Sequence, residues 1–219
     1  LENNPKLPRV RSDMLFSMNY SPGFSQKNLL EAACRWDEIH GLQHNFDFSR
    51  PSPDDSNKRL RIGMISADFR EHPVGIFLVP LLQAFDTNSL EIFCYAAMAE
   101  PLSDHITQKI RENAAHWLNI SALSDMKAAE RIHEDNIDLL IDLAGHSAGN
   151  RMPILALKPA PIQISWLGYV NTTGLATIDY RLTDAIADPP GEESLYSETL
   201  IRLPDAFFCY HPPEVAPDV

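Results

Sequence analysis

RLRIGMISADFREHPVG, residues 59–75, opens the part of the chain whose pattern decides the fold. RLRIGMIS reads as a strand. The chain then leaves through a polar loop to His72-Pro73, and VGIFLVPLLQAF (74–85) reads as an apolar helix with Pro80 a candidate kink. The alternation repeats downstream. LEIFCYAAM is a strand and SDHITQKIRENAAHW a helix capped by Ser103. HWLNIS is a short strand and SDMKAAERIHEDN a helix capped by Ser124. IDLLIDLAG (137–145) is a near-continuous apolar run, the mark of a strand buried on both faces. RMPILALK reads as a short helix, and APIQISWLG, DYRLTDAI and ETLIRLP as further strands. Strands alternating with helices predict a doubly wound, Rossmann-like α/β domain, with a parallel sheet covered on both faces.

Upstream, residues 11–46 read as helical. In SQKNLLEAACRWDEIHGL, Ser25 is a plausible cap, Leu29, Leu30, Ala33, Trp36 and Ile39 share a face, and Gly41 is a stop. That face must pack on something. FSRPSPDDSNK (48–58) is the best linker, and HPPEVAPDV reads as an exit segment. The expected organisation is a helical connector over 1–47, a linker over 48–58, the Rossmann-like domain over 59–210 and an exit linker over 211–219.

The chain has 219 residues, 44% of them hydrophobic, enough for one sizeable core. Its formal net charge is −12, with no basic stripe, which argues against nucleic acid and anionic membrane as partners. No apolar run reaches the roughly 18–20 residues of a membrane span, and the opening LENNPKLPRV is no signal peptide, so a cytoplasmic protein is expected. Three cysteines without a CxxC pair, and eight histidines without an HExxH, predict neither a disulfide framework nor a protein-bound metal.

In open parallel sheets, ligands bind beyond the carboxyl ends of the strands. Three loops fall there. ADFREHPVG holds Asp68 and His72; GHSAGN holds His146, Ser147 and Asn150; YVNTTG holds Tyr169, Asn171, Thr172 and Thr173. His72 is the sharpest of these. A neutral imidazole can take a proton near pH 7, and Pro73 restricts the backbone of His72 to extended geometry. The bland alternative is a histidine that caps the next helix or bonds a carbonyl. His133 lies near the end of its helix, where the dipole favours a cation and Glu130 is an i,i+3 neighbour, so a structural role accounts for it. No GxGxxG, P-loop or GxSxG is present.

The stretches RLRIGMISADFREHPVG, LEIFCYA, KAAERIHEDNIDLLIDLAGHSAGNR, LKPAPIQISWLGYVNTTG, IDYRLTDAIADPP and YSETLIRLP resemble, in this order, the N-terminal half of the catalytic region of O-linked N-acetylglucosamine transferases (glycosyltransferase family 41), with bacterial and SPINDLY-like members the most similar. LFSMNYSPGFSQKNLLEAACRW resembles the connector between their tetratricopeptide repeats and the catalytic region. The resemblance implies the first half of a two-domain GT-B enzyme. It further implies a metal-independent inverting transfer of a sugar, N-acetylglucosamine, from a uridine diphosphate sugar to Ser/Thr hydroxyls of proteins. The UDP-sugar is then a co-substrate, with no tightly bound cofactor and no metal.

By the same resemblance, His72 matches the histidine at the acceptor hydroxyl, and His133 a second histidine near the donor. Leu167 and Gly168 match positions lining the sugar pocket, and Tyr169 completes that motif. The implied partners are a missing C-terminal nucleotide-binding domain, upstream tetratricopeptide repeats and acceptor proteins, and this chain alone is expected to be inactive. The sequence departs from animal members at Arg70-Glu71 and Val170-Asn171, which bears on sugar and acceptor choice. Two other readings compete: an O-fucosyltransferase-like enzyme using GDP-fucose, and a non-catalytic interaction domain that kept the fold.

Overall fold

The computed structural model describes residues 7–41, 46–48, 59–98 and 104–212. Seven parallel strands form one sheet: β1 (Leu60–Ser66), β2 (Leu90–Ala96), β3 (His116–Asn119), β4 (Leu139–Asp142), β5 (Ile162–Ser165), β6 (Tyr180–Asp184) and β7 (Thr199–Leu203). Their spatial order is β3-β2-β1-β4-β5-β6-β7. The chain therefore winds outward from β1 in one direction and, after β3, outward from β4 in the other. The switch point between β1 and β4 is where such sheets open a ligand crevice.

Side chains alternate across the pleat, and the core divides accordingly. On one face, Met64, Cys94, Ile141 and Ile164 meet α3 (Pro73–Ala84) and α4 (His105–Asn113) through Val74, Leu78, Leu82, Ile106 and Ile110. On the other, Ile65, Tyr95 and Leu140 meet α5 (Asp125–Glu134) and α6 (Met152–Ala156) through Ala128, Ile132 and Leu155. Both faces are covered, as the alternation predicts.

The upstream helices are α1 (Pro8–Met18) and α2 (Gln26–His40). They pack on the α5–α6 face, where Leu15, Ala33 and Trp36 are each about 1% exposed. A buried leucine of this kind contributes about 1.5–3 kcal/mol of transfer free energy. The contact reaches the backbone: a Cβ added to Gly174 would stand 2.2 Å from the carbonyl carbon of Ala33. Ser25 caps α2 in a reciprocal box with Asn28, as its sequence predicts.

Two local expectations change. The cap of α4 is Asp104, whose carboxylate accepts from Thr107 N, and Ser103 lies outside the described residues. The apolar run 137–145 gives a strand only from Leu139 to Asp142. There the Asp142 carboxylate accepts the N–H groups of Ala144 and Gly145, an Asx turn that ends the strand while the chain stays buried. Helix α3 runs through Pro80 and is apolar on nearly every side. The sheet and α4 cover part of it. Part of the remainder is covered by the segment after β7, whose Phe208 and Tyr210 pack on Phe77. Residues 49–58 of the expected linker and 213–219 of the exit segment lie outside the described residues. Among the described residues, no helix is long and apolar enough to cross a membrane.

Candidate active site

Ser66 ends β1, and its Oγ accepts the N–H of Asp68 across 2.9 Å. The loop that follows is pinned from α4. Thr107 Oγ1 donates to Phe69 O at 2.8 Å, and Glu71 N donates to Asp104 Oδ2 at 2.6 Å. His72 is extended (φ −152°, ψ 152°) and is the N-cap of α3, with Pro73 at the position where a missing N–H costs least. Gly75 lets the helix meet the loop, because a Cβ there would stand 2.2 Å from Arg70 O. The His72 backbone is thus fixed on every side, while its ring is about one-third exposed.

The ring of His72 has two neighbours that matter. Val74 N–H donates to Nδ1 at 3.3 Å, and Asp68 Oδ2 lies 3.8 Å from the same nitrogen. Asp68 is nearly buried and holds Arg70 at 2.8 Å through its other oxygen. His72 therefore caps the helix and leaves its imidazole partly exposed at the rim.

The loop after β4 meets the loop after β1 at the switch point. Gly149 (φ +77°) has no room for a side chain, since a Cβ would come within 2.7 Å of Ala67 Cβ. His146 does not face this crevice. It is buried, its Nδ1 lies 2.9 Å from Ser12 Oγ, and its Nε2 lies 2.8 Å from Thr173 O. A carbonyl only accepts, so Nε2 carries the proton and the Ser12 hydroxyl donates to Nδ1. Burial lowers the pKa of this imidazole from 6.5 to about 4, partly offset by the Thr173 carbonyl. Asp142, also buried, is raised from 3.8 to about 6 by desolvation, against the lowering effect of its two backbone N–H partners.

The loop after β5 carries the backbone strain. Leu167 has φ +69°, and Gly168 N donates to Trp166 O at 2.8 Å, closing a tight turn around it. Strain of this kind at a strand end is typical of a functional rim. Gly168 lies so close to the neighbouring loop that a Cβ would fall 1.8 Å from Leu143 O. Leu167 and Gly168 are partly exposed at this rim. Tyr169 is not: it is 4% exposed, its hydroxyl accepts from Asn19 Nδ2 at 3.0 Å, and its ring meets His146 edge-on. The contacts it makes in this structure anchor the loop to the end of α1. Burial also pushes its phenol up to about 12.

His133 is not brought together with His72. Helix α5 descends from the rim towards the start of β4, so its last turn lies at the opposite edge of the sheet. Arg61, near the start of β1, donates to Asp135 O at 2.9 Å and fixes that position. The His133 ring stacks on Phe46 at 4.7 Å and meets Phe48 edge-on. It is separated from His72 by about 20 Å of strand, six rises of ~3.3 Å.

Composition and spacing gave no sign of two supporting groups. Glu198, 4% exposed, accepts from Thr173 N and Thr172 Oγ1, each at 2.7 Å, and from the Thr173 hydroxyl. Arg181 donates to Tyr169 O at 2.8 Å and pairs with Asp188. Both hold the 169–174 loop from later in the sequence, Arg181 on β6 and Glu198 just before β7. A cavity of about 410 Å³ opens on the same rim between Arg9, Ser124, Gly149 and Arg151, without taking in His72. Among the described residues, no group of three or more His, Cys, Asp or Glu is placed to hold a metal ion.

Comparison with known proteins identifies the family and supports the fold. The model of glycosyl transferase family 41 matches residues 6–214. A Petunia hybrida protein named "Probable UDP-N-acetylglucosamine--peptide N-acetylglucosaminyltransferase SPINDLY" is 35% identical, over 99% of this chain and 24% of its own. The Caenorhabditis elegans UDP-N-acetylglucosamine--peptide N-acetylglucosaminyltransferase is 36% identical, over 70% of this chain and 13% of its own. A solved structure of a mutant Thermobaculum terrenum O-GlcNAc transferase superposes with a TM-score of 0.90 at 33% identity, covering 98% of this chain and 41% of that one. The chain thus spans about a quarter of the length of the SPINDLY relatives it matches.

Proposed function

Because this chain belongs to glycosyl transferase family 41, we propose that it is the amino-terminal half of the catalytic region of an inverting glycosyltransferase. The enzyme moves N-acetylglucosamine from its uridine diphosphate donor to Ser or Thr hydroxyls of cytoplasmic proteins. The observation that carries this reading is His72: an imidazole on a pinned backbone, at the switch point of the sheet, with a carboxylate behind it.

The acceptor oxygen attacks the anomeric carbon in line with the departing diphosphate, which inverts the configuration. His72 orients the acceptor hydroxyl and takes its proton. Leu167 and Gly168 border the sugar from the loop after β5. Neutralising the leaving diphosphate is work for cationic groups, and the family resemblance assigns that grip to a carboxyl-terminal domain beyond this chain. Upstream tetratricopeptide repeats would present acceptor proteins. The transfer needs no metal and no tightly bound cofactor, so a chelator leaves the rate unchanged. His133 and Tyr169 have no direct part in this scheme.

The test uses the complete parent protein with UDP-N-acetylglucosamine and an acceptor peptide. His72→Ala should lower kcat by about 10²–10⁴-fold, the usual range for a general base, with donor affinity retained. Near-normal turnover would overturn the assignment. Calorimetric titration of UDP into the 219-residue chain should show no binding; micromolar affinity would place the nucleotide site here instead. A donor screen separates this reading from transfer of fucose from GDP-fucose, and loss of all transfer in the complete protein would favour an interaction domain.

A further inference from the structure

We propose that Asp68 is the positioning residue for His72, and that it decides which ring nitrogen carries the proton. The inference deepens the reading of His72 as the acceptor base and rests on it.

Nδ1 of His72 can do one of two things. It can accept the N–H of Val74, as a helix cap, at the observed 3.3 Å. The neutral ring then carries its proton on Nε2 and has no lone pair to offer an acceptor hydroxyl. Alternatively, Nδ1 carries the proton and donates it to Asp68 Oδ2, now 3.8 Å away. Nε2 is then a free base. The cap bond is at the long end of the hydrogen-bond range, and the Val74 N–H belongs to the first turn of α3, where an N–H has no partner within the helix in any case. A shift of roughly 1 Å exchanges one arrangement for the other.

Asp68 is built for the second arrangement. It is 7% exposed, its backbone N–H is fixed by Ser66 Oγ, and Arg70 occupies Oδ1, which leaves Oδ2 on the His72 side. The loop between them is tied to α4 at Phe69 and Glu71, so carboxylate and imidazole keep their relative placement. In the transfer step, the acceptor oxygen uses an electron pair to bond the anomeric carbon. Its proton passes to Nε2 of His72, and the bond from carbon to diphosphate breaks with its electrons on the diphosphate. The imidazolium, donating Nδ1–H to Asp68, then returns its extra proton to solvent. The carboxylate keeps its charge throughout, as an orienting group does in a hydrolase triad.

The decisive experiment is a double-mutant cycle in the complete protein. Asp68→Asn alone should lower kcat at least tenfold with the donor KM unchanged. In a His72→Ala background, Asp68→Asn should cost nothing further, because its effect acts through the ring. A multiplicative loss in that background, or an Asp68→Asn variant with the unaltered rate, overturns the proposal. If His72→Ala itself keeps full turnover, the base reading falls and takes the proposal with it, a result distinct from those two. A second measurement needs neither activity nor a variant. Ring-nitrogen shifts of His72 in the 219-residue chain should show a populated Nδ1–H tautomer; a ring wholly in the Nε2–H form overturns the proposal.

Discussion

His146 donates its Nε2 proton to the carbonyl oxygen of Thr173 across 2.8 Å, and so the loop after β4 holds the loop after β5. Burial keeps the ring neutral, and the Thr173 carbonyl then fixes its tautomer, with Nδ1 left to accept from the Ser12 hydroxyl. The unfolded chain, with an ordinary histidine pKa near 6.5, binds a proton more readily than the folded one at about 4. Stability from this group is present above pH 6.5 and is lost as pH falls from about 6.5 to about 4.

Asp142 acts in the opposite sense over nearly the same window. Its folded pKa of about 6 lies above the ordinary 3.8, so falling pH relieves its burial. The two contributions largely cancel in the unaltered chain. Asp142→Asn removes one of them. Urea denaturation of this variant should therefore show stability falling by on the order of 3 kcal/mol more than in the unaltered chain between pH 6.5 and 4. Parallel profiles for the two proteins would contradict the assignment.

Gly168→Ala should be among the most damaging single changes. Its Cβ would meet the carbonyl oxygen of Leu143 at 1.8 Å, backbone against backbone, with no flexible atom to give way. We expect a loss of more than about 3 kcal/mol, read as a fall in the denaturation midpoint. Gly23→Ala is the control. Its nearest neighbour would be the Ser21 hydroxyl at 3.7 Å, and the expected change is within about 0.5 kcal/mol.

Trp36→Ala tests how firmly the upstream helices belong to the core. The indole is 1% exposed, donates to Pro8 O at 2.9 Å and packs against His146. Its removal should cost about 3–5 kcal/mol in a single cooperative transition. Separate melting of α1 and α2, with the sheet unaffected, would show the contact to be weak.

Asp104→Ala removes the cap of α4 and the tether of Glu71 together. The expected loss is about 0.5–2 kcal/mol. The more specific sign is local, namely faster amide exchange at Glu71 with little change in the strands. Unchanged exchange at Glu71 would mean that the tether does not hold the His72 loop in solution.

The alternation of strands and helices was legible because both cores are made of near neighbours along β1, β2 and β4. The caps Ser25 and Ser124 and the helical run through Pro80 followed from short-range chemistry. What escaped the sequence was set by distant residues. His146 and Tyr169 look like rim groups in their loops, and both are turned inward by partners more than 130 positions earlier, Ser12 on α1 and Asn19 at its carboxyl end. His133 lies apart from the rim for a different reason. A helix that follows a strand starts at the rim and ends at the far edge, so its last turn could have been placed there from topology. The resemblance drew attention to the residue without locating it. The end of β4 shifted because one carboxylate, Asp142, could turn the chain inside an apolar run.

The backbone of Gly174 lies so close to Ala33 that neither residue can change its course alone. In terms of descent, this binds two segments that a gene diagram would draw as separate modules. A recombination that exchanged the connector would have to carry a matching 169–174 loop with it, or the join would not close. The smallest heritable unit on this side of the protein is therefore helices and sheet together, and an engineered chimera should cut upstream of Pro8.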